Sequence, residues 1–310
     1  MIGTITLNPS VDKRYIVDDF KKNGVFRAKQ FQNTAGGKGI NVTRVVRLLG
    51  EDVITTGFLG GKNGEIIEEE LGEIGVINEF VKIKGETRNC IAILSNDASQ
   101  TEILEPGPLI LDEEVDAFFY KYDQILKRCN VVCASGSIPK NLSPFIYTQL
   151  IEKAKKNEVK FLLDTSGKGL IEGINAVPYL VKPNRDELKD LTGISDLTEY
   201  QLIEAGKRLQ DSGINIVVIS LGSQGSMVFS EGRVLKVSIP KIKVVNPVGS
   251  GDSMIAGFAV ALDRGYDIYK MIKFASACGT ANAMEDMTGR VNIDNVNYVM
   301  SRMEIDEISL

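Results

Sequence analysis

The sequence predicts a three-layer α/β fold, in which helices cover both faces of a mostly parallel sheet. Short apolar runs alternate with segments of helical periodicity along most of the chain. Strands that are separated by helices are typical of parallel sheets covered on both faces. The 310 residues, 43% of them hydrophobic, are enough to bury a large core. We therefore expect a single α/β domain over residues 1–310.

The elements of the main sheet follow in chain order. The apolar runs TITL, VITTGFLG and VVCASGS are typical of buried strands, and helical periodicity follows each of them in residues 41–49, 65–71 and 144–155. The second half of the chain continues the alternation with VKFLLDTSG, PYLVKP, INIVVIS and VLKVSIP. We expect these runs to supply the remaining strands.

Two stretches break this pattern, at residues 14–33 and 78–104. They alternate polar and apolar residues without a long helix, as in FVKIKGETRNCIAIL. We interpret them as a small β-rich subdomain that rises from the main sheet, and we call it the lid.

Composition excludes several classes of function. The net charge is −5 with both signs mixed along the chain, so we expect neither nucleic-acid binding nor membrane binding. No apolar run approaches the ~20 residues of a membrane span, and the first residues lack a signal-peptide pattern, so the expected compartment is the cytoplasm. Four cysteines without CxxC spacing indicate reduced packing thiols. With no histidine, proton transfer must use Asp, Glu, Lys, Tyr or Cys.

A glycine turn interrupts the apolar stretch VVNPVGSGDSMIAGFAV, residues 244–260. We expect a strand to end at Pro247 and Gly249, and a buried helix to follow Gly251. Backbone N–H groups at such a helix start favour an anion. Asp252 lies in the same turn, where it either accepts a proton from a hydroxyl that attacks a γ-phosphoryl group or caps the helix. This stretch alone leaves both interpretations open, and it matches neither GxGxxG nor the Walker A pattern.

A second glycine-rich segment, NTAGGKGINVTRVVRLLG, covers residues 33–50. Gly36 and Gly37 allow the backbone to approach a ligand, Lys38 offers a cation, and Asn41 is expected to open a helix. Upstream, LNPSVD places Asp12 just after the first strand, where a carboxylate can hold sugar hydroxyls. A turn without any ligand is the alternative for each segment. Together the two glycine-rich segments, residues 33–50 and 244–260, favour two facing sites, one for a nucleotide phosphate and one for an alcohol.

The two signatures, residues 36–39 and NPVGSGDS at 246–253, resemble those of the ribokinase-like (PfkB) family of sugar kinases, and the resemblance covers essentially the whole chain. It implies a ribokinase-like fold with a lid, ATP and Mg²⁺ as cofactors, a sugar phosphate as substrate, and a homodimer formed through the lid. The alternative is a non-catalytic sugar phosphate sensor, which would be expected to lose the base or the anion hole.

The resemblance also implies roles for individual residues. Asp252 would be the catalytic base, and the turn of Gly249, Ser250 and Gly251 would be the anion hole. The expected sugar phosphate site consists of Asp12, Arg27, Gly37, Lys38, Asn41, Arg88 and Ser137, with Arg27 acting in its own or a neighbouring subunit. The expected nucleotide site consists of Lys182, Asn184, Ser220, Gly222, Gly225 and Asn282.

Two positions have further interpretations. The resemblance makes Glu187 an organiser of magnesium through water, whereas NRDE by itself favours a helix start with acidic residues in its first turn. Ser250 departs from the family, which commonly has alanine there. We expect the departure to preserve activity, because the backbone N–H donors do not depend on the side chain.

Overall fold

The computed structural model describes residues 1–97 and 99–308, and within these residues eleven strands form the main sheet. The described residues contain fifteen strands, eleven in the main sheet and four in a smaller one: β1 Ile2–Thr6, β2 Ser10–Val17, β3 Gln30–Gly36, β4 Val53–Leu59, β5 Ile77–Asn78, β6 Val81–Lys82, β7 Arg88–Ser95, β8 Gln100–Leu104, β9 Val131–Ser135, β10 Lys160–Asp164, β11 Leu180–Val181, β12 Ile216–Ser220, β13 Ser226–Ser230, β14 Arg233–Ser238 and β15 Glu304–Glu307.

The main helices alternate with these strands. They are α1 Lys38–Leu48, α2 Gly61–Glu73, α3 Asp112–Leu126, α4 Ile146–Lys156, α5 Gly167–Asn175, α6 Arg185–Thr192, α7 Glu199–Asp211, α8 Ser250–Asp263, α9 Ile268–Asn282 and α10 Ile293–Met300. No helix in the described part of the chain is long and apolar enough to cross a membrane.

The strand order of the main sheet is β15-β14-β13-β12-β11-β10-β9-β1-β4-β5, with β6 paired to the end of β4. The strands from β12 to β5 are parallel, whereas β13, β14 and β15 are antiparallel at one side. Because the parallel strands all end at the same edge, the residues that follow β1, β9, β10, β11 and β12 meet there. That edge is the expected place for a ligand site.

Apolar side chains cover both faces of the sheet, which explains the continuous apolar runs in the sequence. One core packs α1, α2, α8, α9 and α10 against one face, and the other packs α3 to α7 against the opposite face. The expected three-layer α/β arrangement is therefore confirmed.

The lid is a separate four-stranded sheet with the order β3-β2-β7-β8. It begins at Ser10, earlier than the expected residue 14, and ends at Leu104. Residues 77–78 and 81–82 pair with β4 and so belong to the main sheet, although we expected the lid to start near 78. Residue 98 of this segment and residues 309–310 of the expected domain lie outside the described residues.

The strand expected before the glycine turn is absent from residues 239–249, all of which are described. Pro240 and Pro247 each lack the N–H that a sheet ladder needs, which accounts for the irregular conformation. The segment is held instead by the carbonyl oxygen of Ala283, which accepts from the backbone N–H groups of Val245 and Asn246.

Helices α8 and α9 pack unusually close to each other. Gly257 of α8 faces the backbone of α9, and a Cβ added there would lie 2.6 Å from the Cα of Ala275. Real Cβ atoms do not approach a backbone atom so closely, so the glycine sets the separation of the two helices. This packing fixes the position of α8, whose first turn contains Asp252.

We expect Gly257→Ala to lower the free energy of unfolding by about 1–3 kcal/mol, because the added methyl group overpacks the α8–α9 contact. Gly72→Ala is the matched control, since Gly72 is also helical and a Cβ there would meet its nearest atom only at 4.0 Å. In that variant the free energy of unfolding should stay the same or rise by up to about 1 kcal/mol. Urea unfolding measures the free energy of unfolding of both variants. Equal stability of the two variants would contradict the packing argument.

Candidate active site

The first turn of α8 lies at the edge where the parallel strands end. Its N-cap, Gly249, has a φ of 82°, in the left-handed region that favours glycine. A Cβ there would lie 2.7 Å from Cγ2 of Thr288 and 2.9 Å from the nitrogen of Gly289, so glycine is needed for space as well. The turn thus depends on the neighbouring loop for its shape.

The N–H groups of this turn are not equivalent. The Ser250 N–H donates to the carbonyl oxygen of Pro247 at 3.3 Å, so it is already engaged. The N–H groups of Gly251 and Asp252 lie in the first turn of α8, where a helix offers no acceptor. They are the donors that can hold an anion, aided by the helix dipole. The Ser250 Oγ is buried without a hydrogen-bond partner among the described residues, so replacement by alanine would remove no visible contact.

Asp252 does not cap the helix. Its Oδ2 accepts a hydrogen bond of 2.8 Å from Nδ2 of Asn41, and the side chain is only 5% exposed. The N-cap position belongs to Gly249, which makes no side-chain cap hydrogen bond. Asn41 lies in α1, which begins at Lys38, three residues before the expected start. The two glycine segments of the sequence therefore meet at this hydrogen bond.

A buried ion pair lies beside the turn. Nζ of Lys182, which follows β11, is 3.2 Å from Oδ1 of Asp164, and the two side chains are 5% and 2% exposed. A Cβ added to Gly251 would lie 3.1 Å from the same Nζ, so the lysine reaches the anion-binding turn. Asp164 is the last residue of β10, and sequence reasoning missed it. Its signal was a carboxylate at the carboxyl end of a buried parallel strand, in the run VKFLLD.

Burial and the surrounding charges control protonation at this site. Burial, aided by the negative charge of Asp164, raises the pKa of Asp252 to about 6, against the opposing effects of Lys38, Asn41 and Lys182. The pKa of Lys38 is also raised, chiefly by Asp164. A carboxylate with a pKa near the working pH is suited to general base catalysis.

Glu187 forms the helix start that NRDE by itself indicates, and its role at magnesium stays a prediction. Its backbone N–H donates to Oδ1 of Asn184 at 2.8 Å, and its Oε2 accepts from the Asn184 N–H at 2.9 Å, which is a capping box at the start of α6. The side chain is also buried, and burial raises its pKa. It faces the same charges as Asp252, because Asp164, Lys38 and Lys182 all influence it.

The positions of the buried carboxylates can be compared with the coordination that Mg²⁺ requires. Among the described residues no group of three or more acidic side chains converges on one point, so the protein alone does not form a metal cage. Asp164 and Glu187 nevertheless offer buried carboxylate oxygens, and Oδ1 of Asp164, although 3.2 Å from Nζ of Lys182, accepts no well-aligned hydrogen bond within the described residues. Mg²⁺ retains several waters and binds through one or two carboxylates plus substrate phosphates, so these residues fit the ion as part of a magnesium–nucleotide complex.

The other glycine segment borders Asp12. Gly37 has a φ of 105° and is the N-cap of α1, and Lys38 follows it with its side chain exposed. Oδ1 of Asp12 accepts a hydrogen bond of 2.7 Å from Ser10 Oγ, and a Cβ on Gly36 would lie 2.1 Å from the carboxyl carbon of Asp12. Burial raises the pKa of Asp12. The structure thus brings Asp12 against the glycine segment.

Arg88 and Ser137 meet at Asn8. The Arg88 guanidinium donates to the carbonyl oxygen of Asn8 from Nε at 3.3 Å and Nη2 at 3.1 Å, and from Nη1 to Glu105 O at 2.8 Å. Ser137 Oγ accepts from Nδ2 of Asn8 at 3.2 Å. Asn8 was not a candidate in the sequence.

The remaining candidates differ in how the structure places them. Ser220, Gly222 and Gly225 lie at the carboxyl end of β12, beside Asn184, which forms a β-bridge to Ser220. They are therefore at the expected edge. Arg27 lies in the connection between β2 and β3, where it is exposed and makes no hydrogen bond or ion pair within the described part of the chain.

Asn282 is fully buried and its amide bonds to neighbouring protein groups, while its expected place near the nucleotide base stays a prediction. Its Nδ2 donates to Val248 O at 2.8 Å, and its Oδ1 accepts from Ser253 Oγ at 3.0 Å and from Gly289 N at 2.9 Å. The amide therefore joins both sides of the glycine turn to the loop around Gly289. These hydrogen bonds stabilise the shape of the anion-binding turn.

Comparison with known proteins assigns the family. The family model described as pfkB family carbohydrate kinase matches residues 2–292. The chain belongs to this family. The carbohydrate kinase is therefore an enzyme, and the alternative of a non-catalytic sensor is not supported.

Relatives of this carbohydrate kinase are similar over their whole length. A tagatose-6-phosphate kinase of Staphylococcus epidermidis is 44% identical over 99% of this chain and 100% of its own. Phosphofructokinase-2 from Escherichia coli, in complex with substrates and products, has a TM-score of 0.89 at 28% identity, with 97% of this chain and 98% of its own covered. A protein of Thermotoga maritima described as a possible 1-phosphofructokinase has a TM-score of 0.90 at 26% identity, with both chains fully covered.

Proposed function

We propose that this kinase transfers the γ-phosphoryl group of ATP to O1 of D-tagatose 6-phosphate, giving D-tagatose 1,6-bisphosphate and ADP. The observation that carries the proposal is the Asn41–Asp252 hydrogen bond, which puts a carboxylate with a raised pKa between the anion-binding turn and the second glycine segment. The identity of 44% with a tagatose-6-phosphate kinase supports the choice of substrate.

Asp252 is the general base of the proposed reaction. Asn41 occupies Oδ2 of the carboxylate, and Oδ1 has no donor within the described residues, so Oδ1 can accept the proton of the sugar hydroxyl. As the proton moves to Oδ1, O1 of the sugar attacks the γ-phosphorus in line, and the bond from that phosphorus to the bridging oxygen breaks. The electron pair of the broken bond leaves with ADP.

The first turn of α8 stabilises the transferred group. The N–H groups of Gly251 and Asp252, together with the helix dipole, face the negative charge that is spread over the phosphoryl oxygens. Lys182 adds a cation next to Gly251. All these groups are fixed by packing before the substrate arrives, so little reorganisation is needed in the transition state.

The nucleotide side of the site uses the ends of β11 and β12. Lys182 and Asn184 would hold the ATP phosphates, and Ser220, Gly222 and Gly225 would border the nucleotide. Glu187 and Asp164 would hold Mg²⁺ through water, and the bound ion would supply positive charge to the β- and γ-phosphates. The burial of both carboxylates supports this assignment.

The sugar phosphate side uses the lid and α1. Asp12 and the segment of Gly37 and Lys38 would hold sugar hydroxyls, while Arg88 and Ser137 would bind the phosphate already present on the substrate. Arginine suits this role because its planar guanidinium matches phosphate oxygens. Arg27 is exposed on the lid, so in this proposal it contributes from a neighbouring subunit.

We propose that the kinase is a homodimer that pairs two lids. The side chains of Phe31 and Ile103 are 72% and 54% exposed. The register places both on the face of the lid opposite Asp12, since Phe31 pairs with Tyr15 and Ile103 with Ile91. A second lid would cover this apolar face. Light scattering should therefore give about twice 33.9 kDa, whereas a monomer at micromolar concentration would contradict the dimer.

The base is tested by Asp252→Asn, which keeps the shape of the side chain but removes the proton acceptor. We expect kcat to fall roughly 10²- to 10⁴-fold while ATP binding stays intact. Asp263→Asn, at the other end of the same helix, is the control and should retain wild-type turnover. Steady-state ADP release measures kcat and calorimetry measures ATP binding. Near-wild-type turnover by Asp252→Asn would refute the assignment.

The substrate is tested by kcat/KM for three compounds at fixed Mg-ATP. The kcat/KM for D-tagatose 6-phosphate should exceed that for its C4 epimer, D-fructose 6-phosphate, by roughly 5- to 150-fold, because one unmatched buried polar group costs about 1–3 kcal/mol. The runner-up substrate is fructose 1-phosphate, since a ketohexofuranose with phosphate on C1 presents O6 much as the 6-phosphate presents O1. The likeness to a possible 1-phosphofructokinase favours that alternative. A preference for fructose 1-phosphate would overturn the assignment of the substrate and leave the proposed mechanism unchanged.

A further inference from the structure

Asn8 links the main sheet to the lid at the proposed phosphate site. It follows β1, and its side chain is 5% exposed. Nδ2 donates to Ser137 Oγ at 3.2 Å and to Pro106 O at 3.3 Å, while its backbone oxygen accepts from the Arg88 guanidinium. One residue therefore contacts the residues after β9 and β8 and the first residue of β7.

The side chain of Asn8 leaves no room for a Cβ atom at position 107. Gly107 has a φ of 91°, and a Cβ there would lie 2.2 Å from Oδ1 of Asn8. Oδ1 itself is buried and has no donor within the described part of the chain, which destabilises the fold. A small apolar residue at position 8 would avoid that cost. The useful part of the side chain is therefore its Nδ2 donor, whereas the backbone oxygen that holds Arg88 is present with any residue at position 8.

The direction of the hydrogen bonds decides what Ser137 can do. Because Ser137 Oγ accepts from Nδ2 of Asn8, its own O–H is free to donate to another group. A phosphate offers only acceptors when it is fully ionised, so it needs such donors. The Arg88 guanidinium is similarly held by two neutral carbonyl oxygens, of Asn8 and Glu105, which fix its plane without neutralising its charge.

We propose that Asn8 is a positioning residue, which orients Ser137 as a donor and Arg88 as a planar cation toward the phosphate group of the sugar phosphate. The proposal rests on the function given above, in which these two residues bind that phosphate. Asn8 acts through them and does not touch the reacting atoms. Its contact with Pro106 also fixes the loop after β8, so the lid keeps its orientation to the main sheet.

The sharpest variant is Asn8→Asp. A carboxylate has the same shape but accepts hydrogen bonds only, so it would draw the O–H of Ser137 toward itself and add negative charge next to Arg88. We expect KM for D-tagatose 6-phosphate to rise roughly 10- to 100-fold, with KM for ATP within about twofold of wild type. Asn8→Ala, which removes the donor without adding charge, should raise the same KM roughly 5- to 20-fold.

Asn78→Asp is the matched control. Like Asn8, Asn78 has a buried Oδ1 with no partner among the described residues and an Nδ2 that donates to a backbone oxygen, that of Glu68, but it lies in β5 at the far side of the main sheet. The control should leave both KM values unchanged. Thermal unfolding of all three variants shows whether any change in KM merely follows stability.

A second readout separates positioning from general damage. Unphosphorylated D-tagatose has no phosphate to place, so Asn8→Asp should change its kcat/KM by less than about threefold while lowering kcat/KM for D-tagatose 6-phosphate by roughly 10-fold or more. Equal losses for both sugars would mean that Asn8 only maintains the fold, and the inference would be wrong.

Arg88→Ala distinguishes this inference from the proposed function. If Arg88→Ala leaves KM for D-tagatose 6-phosphate unchanged, the phosphate is bound elsewhere and the proposed site fails. If Arg88→Ala raises KM but neither Asn8 variant does, the site stands and the positioning role of Asn8 fails. If both raise KM, the double variant Asn8→Ala with Arg88→Ala should show less than the product of the two single effects, because the residues act on one group. A full product would contradict the coupling.

Discussion

The burial of charge at the carboxyl edge of the main sheet is the constraint on which the site depends. Asp164, Lys182, Glu187 and Asp252 are all buried, and the charges of Asp164 and Lys182 influence the protonation of both Glu187 and Asp252. A buried charge without a partner would be strongly destabilising, and Lys182 and Asp164 form an ion pair. Burial and the negative charge of Asp164 keep the pKa of Asp252 high, whereas Lys182 lowers it. Lys38 at the mouth of the site partly offsets that negative charge.

The rest of the fold positions these charges. The carboxylates and the lysine come from the ends of β10 and β11 and from the first turns of α6 and α8, so the parallel sheet brings together residues that are far apart in sequence. The close α8–α9 contact at Gly257 fixes the direction of α8. Asn282, at the end of α9, then bonds the anion-binding turn to the loop around Gly289. The geometry of the anion-binding turn is therefore set by the packing of α8 and α9.

Much of this arrangement could be predicted from the sequence. The alternation of apolar runs and helical periodicity indicates the parallel sheet, because period and burial are local properties of the chain. GSGD and GGKG stand out because glycine is needed where the backbone turns tightly or approaches another group. The strand expected before GSGD was wrong, because the apolar pattern of VVNPVG concealed the effect of Pro247 and of Pro240 just upstream.

The missed residues depend on tertiary contacts. Asp164 is one acidic residue at the end of one strand, and only the sheet order brings it next to Lys182. Asn8 looks like an ordinary turn residue, since its partners Arg88, Pro106 and Ser137 lie about 80 to 130 positions away along the chain. The burial of Asn282 follows from the packing of α9, which periodicity alone does not reveal, and its expected place near the nucleotide stays a prediction.

The central claim is that Asp164 and burial together set the protonation of the base, and the pH dependence of kcat/KM tests it most directly. Asp252 must be ionised to accept a proton, so kcat/KM should rise with pH through about 6 and level off above it. Asp164→Asn removes a negative charge that favours the protonated form, so its profile should rise at lower pH than the wild-type profile. The titrations of substrate and nucleotide are common to both proteins and cancel in the comparison. A profile that does not move between the two proteins would contradict the account.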